Sequence, residues 1–200
     1  TDGLLSGTPT AAGNFTFTVN ATDSAGTPNS INRPLAIFVD DRWAFQNPKP
    51  TGNNLNGIWA TGTTAFAVGS AGTALKYDGT NWIDLPSTTT QQLNGVWGTS
   101  ANNVYAVGNS GTILRFDGVA WKAMVSNTTA DLFGIWGSST GNPVFAVGTG
   151  GAIVTFNGTA WSTQTSPTTD DLYGVSGASA NDVYAVGFNG NASGLPNDCD

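Results

Sequence analysis

One block of residues recurs four times in this chain, and the recurrence limits the fold to architectures assembled from copies of one small unit. The copies open at Leu55, Leu93, Leu132 and Leu172 as Leu-Asn-Gly-Ile-Trp, Leu-Asn-Gly-Val-Trp, Leu-Phe-Gly-Ile-Trp and Leu-Tyr-Gly-Val-Ser. Each continues into an aromatic-Ala-Val-Gly motif that closes at Gly69, Gly108, Gly148 or Gly187, so the closing glycines fall 39, 40 and 39 residues apart. In the first three copies a third apolar stretch follows, with Leu75 and Tyr77, Leu114 and Phe116, or Val154 and Phe156 two positions apart and therefore on one face of a strand. Lys76, Arg115 and Thr155 stand between these pairs.

Next come Asp78-Gly79, Asp117-Gly118 and Asn157-Gly158, dipeptides suited to two-residue hairpin turns in which both central residues take positive φ. Trp82, Trp121 and Trp161 then head a fourth strand. Four short antiparallel strands in about 40 residues, repeated, predict blades of a β-propeller. The 3.6-residue periodicity of a helical solenoid is absent. The predicted blades are 54–92, 93–131 and 132–171. A partial, degenerate copy at 172–200 shows neither a third apolar strand nor the Trp after Gly187. Trp43 precedes Leu55 by 12 residues, much as Trp82 precedes Leu93 by 11, which makes 41–53 a linker containing the outer strand of a preceding or closing blade.

Composition agrees with an all-β chain. Charged residues make up only 10%, there are 27 Gly, and Thr, Asn and Ser separate the apolar residues. The net charge of −7 leaves six scattered cations, too few for a basic stripe, so nucleic acid is not an expected partner. No apolar run has the roughly 18 residues of a membrane span, and no membrane insertion is expected.

The patterns G-[IV]-W-G-x-S, V-[FY]-A-V-G-x-x-G-T-I-L and [YF]-[DN]-G-x-x-W resemble the propeller repeats common in large bacterial exported proteins. They are similar, more distantly, to the Asp-box repeats of sialidases and to photosystem II assembly-factor propellers. The match covers roughly residues 54 to 190. An Asp-box, however, has one residue between Asp and Gly, whereas Asp78-Gly79 and Asp117-Gly118 are adjacent. The resemblance implies a bacterial protein, extracellular or on the cell surface.

Residues 1–40 differ in kind. Phe15, Phe17 and Val19 alternate with Thr along one expected strand, and Leu35 to Val39 form another. The string SGTPTAAGNFTFTVNATDSAG resembles the second half of immunoglobulin-like domains found in tandem in bacterial surface proteins. That implies a partial sandwich, since such domains need about seven strands. Three blades and part of a fourth also fall short of the four to eight that close a ring. The sequence is therefore expected to be an excerpt, or to be completed by strands from neighbouring copies.

Catalysis is not expected. The chain has no His and one cysteine, Cys199, and all 13 of its acidic residues are Asp, which leaves no nucleophile-base pair and no metal cluster. The sialidase resemblance would imply an arginine cluster and a tyrosine nucleophile, but Arg33 and Arg42 precede the repeats. Cofactors are expected to be none. The single cation considered is calcium at Asp40 and Asp41, Asp170 and Asp171, or Asp198 and Asp200, where no known loop spacing is met.

Lys76 and Arg115 share one repeat position, where they either face a polar ligand or lie on a solvated strand face. Trp59, Trp97 and Trp136, like Trp82, Trp121 and Trp161, recur at fixed blade positions and are expected to pack between blades, the alternative for Trp82, Trp121 and Trp161 being to stack on sugar rings. Asp78, Gly79, Asp117, Gly118, Asn157 and Gly158 are turn residues. These readings favour a non-catalytic surface module that binds a glycan or protein ligand in adhesion or recognition. The alternatives are a homo-oligomeric structural subunit of a surface filament, and an accessory region of a larger glycan-processing enzyme.

Overall fold

A computed structural model describes residues 13–22, 30–39, 51–188 and 192–194. The chain divides into a unit up to Pro48 and a second from Lys49 onward. In the first unit, β1 (Gly13–Thr22) pairs antiparallel with β2 (Ser30–Val39), from Gly13 opposite Val39 to Thr22 opposite Ser30. Thr16 and Thr18, two positions apart and so on one face of β1, are exposed. The expected outer strand around Trp43 lies outside the described residues, as do Asp40, Asp41, Asp198, Cys199 and Asp200.

The second unit is four consecutive meanders. Blade 1 comprises β3 (Leu55–Thr61), β4 (Thr64–Gly69), β5 (Ala74–Tyr77) and β6 (Trp82–Asp84). Blade 2 comprises β7 (Leu93–Ser100), β8 (Asn103–Gly108), β9 (Ile113–Phe116) and β10 (Trp121–Met124). Blade 3 comprises β11 (Leu132–Gly137), β12 (Val144–Gly148), β13 (Ile153–Phe156) and β14 (Trp161–Gln164). Blade 4 comprises β15 (Leu172–Ser179), β16 (Asp182–Gly187) and β17 (Ala192–Gly194).

The third strand of blade 4 corrects the sequence reading, which found none there. β17 pairs with β16 through Val186 opposite Ala192 and Tyr184 opposite Gly194. A ladder is built from backbone groups, so Ala-Ser-Gly extends the sheet without the apolar pair by which the other third strands are recognised.

Alternation along β4, β8 and β12 gives each blade two apolar faces. Phe66 and Val68 of blade 1 pack against Leu93, Val96, Leu114, Phe116 and Trp121 of blade 2. Tyr105, Val107 and Ile113 of blade 2 meet Leu132, Val154, Phe156 and Trp161 of blade 3. Phe145, Val147 and Ile153 of blade 3 meet Leu172, Val183 and Ala185 of blade 4. The core is therefore a series of inter-blade layers, each large side chain contributing about 1.5–3 kcal/mol through burial.

The closing glycines have a steric cause. A Cβ on Gly69, Gly108, Gly148 or Gly187 would lie 1.9, 2.1, 1.9 or 2.0 Å from the carbonyl oxygen of Asn54, Gln92, Asp131 or Asp171, the residue before the innermost strand. Every copy thus requires a residue without a side chain where its second strand passes the entry to its first.

Candidate functional site

Two of the three Trp residues considered as sugar platforms, Trp121 and Trp161, belong to the core. Trp121 is 3% exposed, crosses Phe66 of blade 1 edge-on at 6.4 Å and packs on Phe116 at 5.4 Å. Trp161 is 2% exposed and repeats the arrangement with Tyr105 at 6.2 Å and Phe156 at 5.4 Å. Neither ring face is offered to a ligand, because closing a blade against its neighbour requires a large apolar plug at this position. Trp82 is half-buried against Tyr77 at 5.4 Å.

Lys76 and Arg115 do not converge on a common ligand site. The Lys76 ammonium lies 5.8 Å from the Phe66 ring centroid and 5.9 Å from that of Phe116, straddling two blades. The Arg115 guanidinium lies 5.7 Å over the Tyr105 ring, and its Nε donates to Asn103 Oδ1 at 2.9 Å. Burial pushes the Tyr105 phenol above its ordinary value, against a smaller downward pull from Arg115.

The Asp-Gly and Asn-Gly pairs are turn residues, in a different turn from the one expected. Tyr77 pairs directly with Trp82, so the loop holds four residues rather than two. Asp78 Oδ1 accepts from the N–H groups of Thr80 and Asn81, both at 2.8 Å, and Gly79 alone takes positive φ, at 102°. Asp117 and Asn157 cap their loops in the same way, with Gly118 at 97° and Gly158 at 92°. The side-chain oxygen holds the turn, which frees the residue before Gly from needing positive φ.

Asp117 carries a pH dependence. Its ion pair with Lys122, then the N–H groups of Ala120 and Val119, hold its carboxyl far below the ordinary value of 3.8. A depressed folded-state pKa gives stability that is present above the unfolded value and lost as pH falls through the folded one. Asp117→Asn should therefore lower the urea midpoint at neutral pH, and the gap to wild type should shrink steadily as pH drops below 3.8. A gap that stays constant with pH would show that the ion pair contributes nothing.

Of the acidic residues considered as calcium ligands, Asp171 holds a backbone contact, and Asp131, its counterpart one blade earlier, does the same. Asp171 Oδ1 accepts from Gly150 N–H at 2.8 Å, and Asp131 Oδ1 accepts from Ser110 N–H at 2.7 Å, each tying a blade's entry to a turn of the preceding blade. Among the described residues, no three acidic, His or Cys side chains gather closely enough to hold a metal ion.

The innermost strands carry two devices, a bulge that the repeat pattern does not disclose and a Trp whose packing between blades the sequence predicts. Each has a bulge at the residue after its opening Leu, which re-aims that side chain. Bulged Asn56 donates to Leu93 O and bulged Asn94 to Leu132 O, both at 2.8 Å. At the next junction the same position holds Phe133 and Tyr173, whose rings stack at 5.1 Å. The second device is a Trp seated on a Gly of the following blade. A Cβ on Gly98 would lie 3.1 Å from the Trp59 ring, one on Gly137 2.6 Å from Trp97, and one on Gly177 2.8 Å from Trp136. Recurrence at one repeat position was the signal available for the Trp.

These seats floor an open cleft of about 610 Å3 at the hairpin ends of blades 2, 3 and 4, lined by Trp97, Trp136, Thr99, Ser139, Asn142 and neighbouring residues. Its walls are held from within. Ser138 Oγ donates to Asn142 O at 2.7 Å, and Asn103 Nδ2 donates to Thr99 Oγ1 at 2.9 Å while its Oδ1 receives Arg115. Arg115 thus positions a cleft hydroxyl through Asn103. The lining offers indoles, hydroxyls and an amide, and no charged side chain.

No family model and no curated protein matches the chain. Solved structures do. YCF48 from Cyanidioschyzon merolae aligns with a TM-score of 0.59 at 13% identity, over 70% of this chain and 50% of that one. YCF48 bound to D1 peptide aligns with a TM-score of 0.55 at 17% identity, over 90% of this chain and 59% of that one. The computationally designed Ika4 protein aligns at 0.60 and 12% identity, over 72% of this chain and 92% of that one. The four sheets are β-propeller blades. The chain spans about half the length of the YCF48 chains it resembles. At these identities the likeness shows the fold, and it agrees with the β-propeller architecture that the repeats predict.

Proposed function

We propose that this chain is a non-catalytic binding module whose propeller blades hold a segment of another protein in the cleft of blades 2, 3 and 4. The observation that carries this reading is the cleft's chemistry. Two indoles beside fixed hydroxyl groups and the Asn142 amide suit an uncharged, extended peptide, which presents alternating apolar side chains and backbone hydrogen-bonding groups. The structural likeness to YCF48 bound to D1 peptide supports a protein ligand over a sugar. The repeat resemblance supports a setting outside a bacterial cell or on its surface, with a role in adhesion or recognition, and the resemblance of residues 1–40 supports the β1–β2 hairpin as part of an immunoglobulin-like spacer.

The test is selection of a displayed random-peptide library on the chain, alongside a glycan array. Ser139 is exposed on the cleft wall, and Ser139→Trp fills the cleft without touching the core. Peptides should be recovered whose binding falls at least about tenfold in that variant, a loss of about 1.4 kcal/mol. Binding of glycans alone, or peptides indifferent to Ser139→Trp, would overturn the reading.

A further inference from the structure

Two of the chain's six cations sit directly opposite each other on the outer part of blade 2. Arg115 of β9 pairs with Lys122 of β10 on one side and with Tyr105 of β8 on the other, so the three side chains form one row on one face of the sheet. The corresponding row is Phe66, Lys76 and Ile83 in blade 1, and Phe145, Thr155 and Ser162 in blade 3. Like charges directly opposite destabilise a sheet, and of these three rows only that of blade 2 carries them. Asp117 offsets one of the two through its ion pair with Lys122. The charge of Arg115 is left over.

That charge is exposed and already held in position. The guanidinium lies over Tyr105 and its Nε is engaged by Asn103, while its two terminal amino groups find no acceptor among the described residues. An arginine fixed in this way offers a planar pair of donors matched to a carboxylate, with little further ordering to lose on binding. Arg115, Asp117, Lys122 and Met124 line an open groove of about 370 Å3. Met124 packs on the layer between blades 2 and 3 and gives the groove an apolar wall. Both neighbours of blade 2 are packed against it, so the groove belongs to the assembled array. Asp117 limits what can enter, because its carboxylate repels a second negative group. The groove therefore suits one carboxylate joined to an apolar group, and the last residue of a polypeptide carries both on one carbon atom.

We propose that this groove binds the free C-terminus of another polypeptide, with Arg115 gripping the carboxylate, Lys122 beside it and Met124 against the last side chain. The ligand is a chain end, unlike the uncharged segment proposed for the cleft, and the groove does not depend on that reading.

Isothermal titration calorimetry on the 200-residue chain tests this, with circular dichroism confirming the fold of each variant. The probe is N-acetylated Gly-Ser-Gly-Ser-Leu with a free acid end, compared with the same peptide amidated. The free acid should bind with saturation at neutral pH, and amidation should weaken binding at least about tenfold. Arg115→Lys keeps the charge but loses the paired donors, and should weaken binding of the free acid by a similar factor. Because Arg115 also holds Asn103 beside the cleft, a second variant isolates the groove. Asp117→Asn retains a side-chain oxygen for the turn, as Asn157 does in blade 3, and releases Lys122 to the ligand. It should tighten binding about two- to fivefold, a direction that loss of structure would not produce. A free acid that does not bind, or an amidated peptide that binds equally well, overturns the proposal. So does equal binding of an amidated peptide with an internal Asp, tighter binding of a uronate oligosaccharide, or an Asp117→Asn variant whose affinity is unchanged or weaker.

Discussion

Trp161→Ala is expected to destabilise the blade array by about 3–5 kcal/mol, read as a fall in the urea midpoint by circular dichroism. The side chain is among the largest fully buried ones and fills the layer between blades 2 and 3 against Tyr105 and Phe156. Its indole N–H has no protein acceptor, so Trp161→Phe removes no hydrogen bond and should cost about 1 kcal/mol. The contrast between the two variants separates packing from polar contact. A ligand-binding Trp would behave otherwise, losing affinity in both variants with the midpoint unmoved. An alanine variant as stable as wild type would refute the core assignment.

The second large effect concerns a residue with no side chain. Gly148→Ala would place a methyl group 1.9 Å from Asp131 O, a backbone atom that cannot rotate away. Relief requires moving the entry of β11 out of its pairing with β12, and the expected cost is about 3 kcal/mol. Gly150 is a useful control, since a Cβ there meets nothing within 4 Å. Its φ of 63° still favours glycine, so Gly150→Asn, the residue most tolerant of that region, should stay within about 1 kcal/mol of wild type. Equal losses at the two positions would show that the Asp131 contact is not what demands glycine at Gly148.

The parts of this fold legible in the sequence are those written in side chains that recur. The aromatic-Ala-Val-Gly motif specified both faces of the second strand, and Trp121 and Trp161 marked the fourth. What the sequence concealed depends on backbone geometry. β17 has no apolar signature because its pairing with β16 uses main-chain groups alone. The turns at Asp78, Asp117 and Asn157 hold four residues because a side-chain oxygen captures two following N–H groups, which a dipeptide preference does not reveal. The cleft was hidden for a further reason. It is assembled from hairpin ends of three blades, where the copies differ most: Ser100 pairs with Asn103 across a tight turn in blade 2, whereas Ser138 to Pro143 form a longer loop in blade 3.

The neutral lining of that cleft bears on how fast it is found. A chain of net charge −7 repels other acidic proteins at long range, yet the cleft presents no charge of its own to attract or orient an arriving segment. Capture there would proceed near the unsteered rate of about 10⁵–10⁶ M⁻¹s⁻¹, and added salt would change it chiefly by screening the repulsion, so that ionic strength speeds association instead of slowing it. Such a surface gives up electrostatic guidance, and with it any reliance on an attraction that salt would screen away.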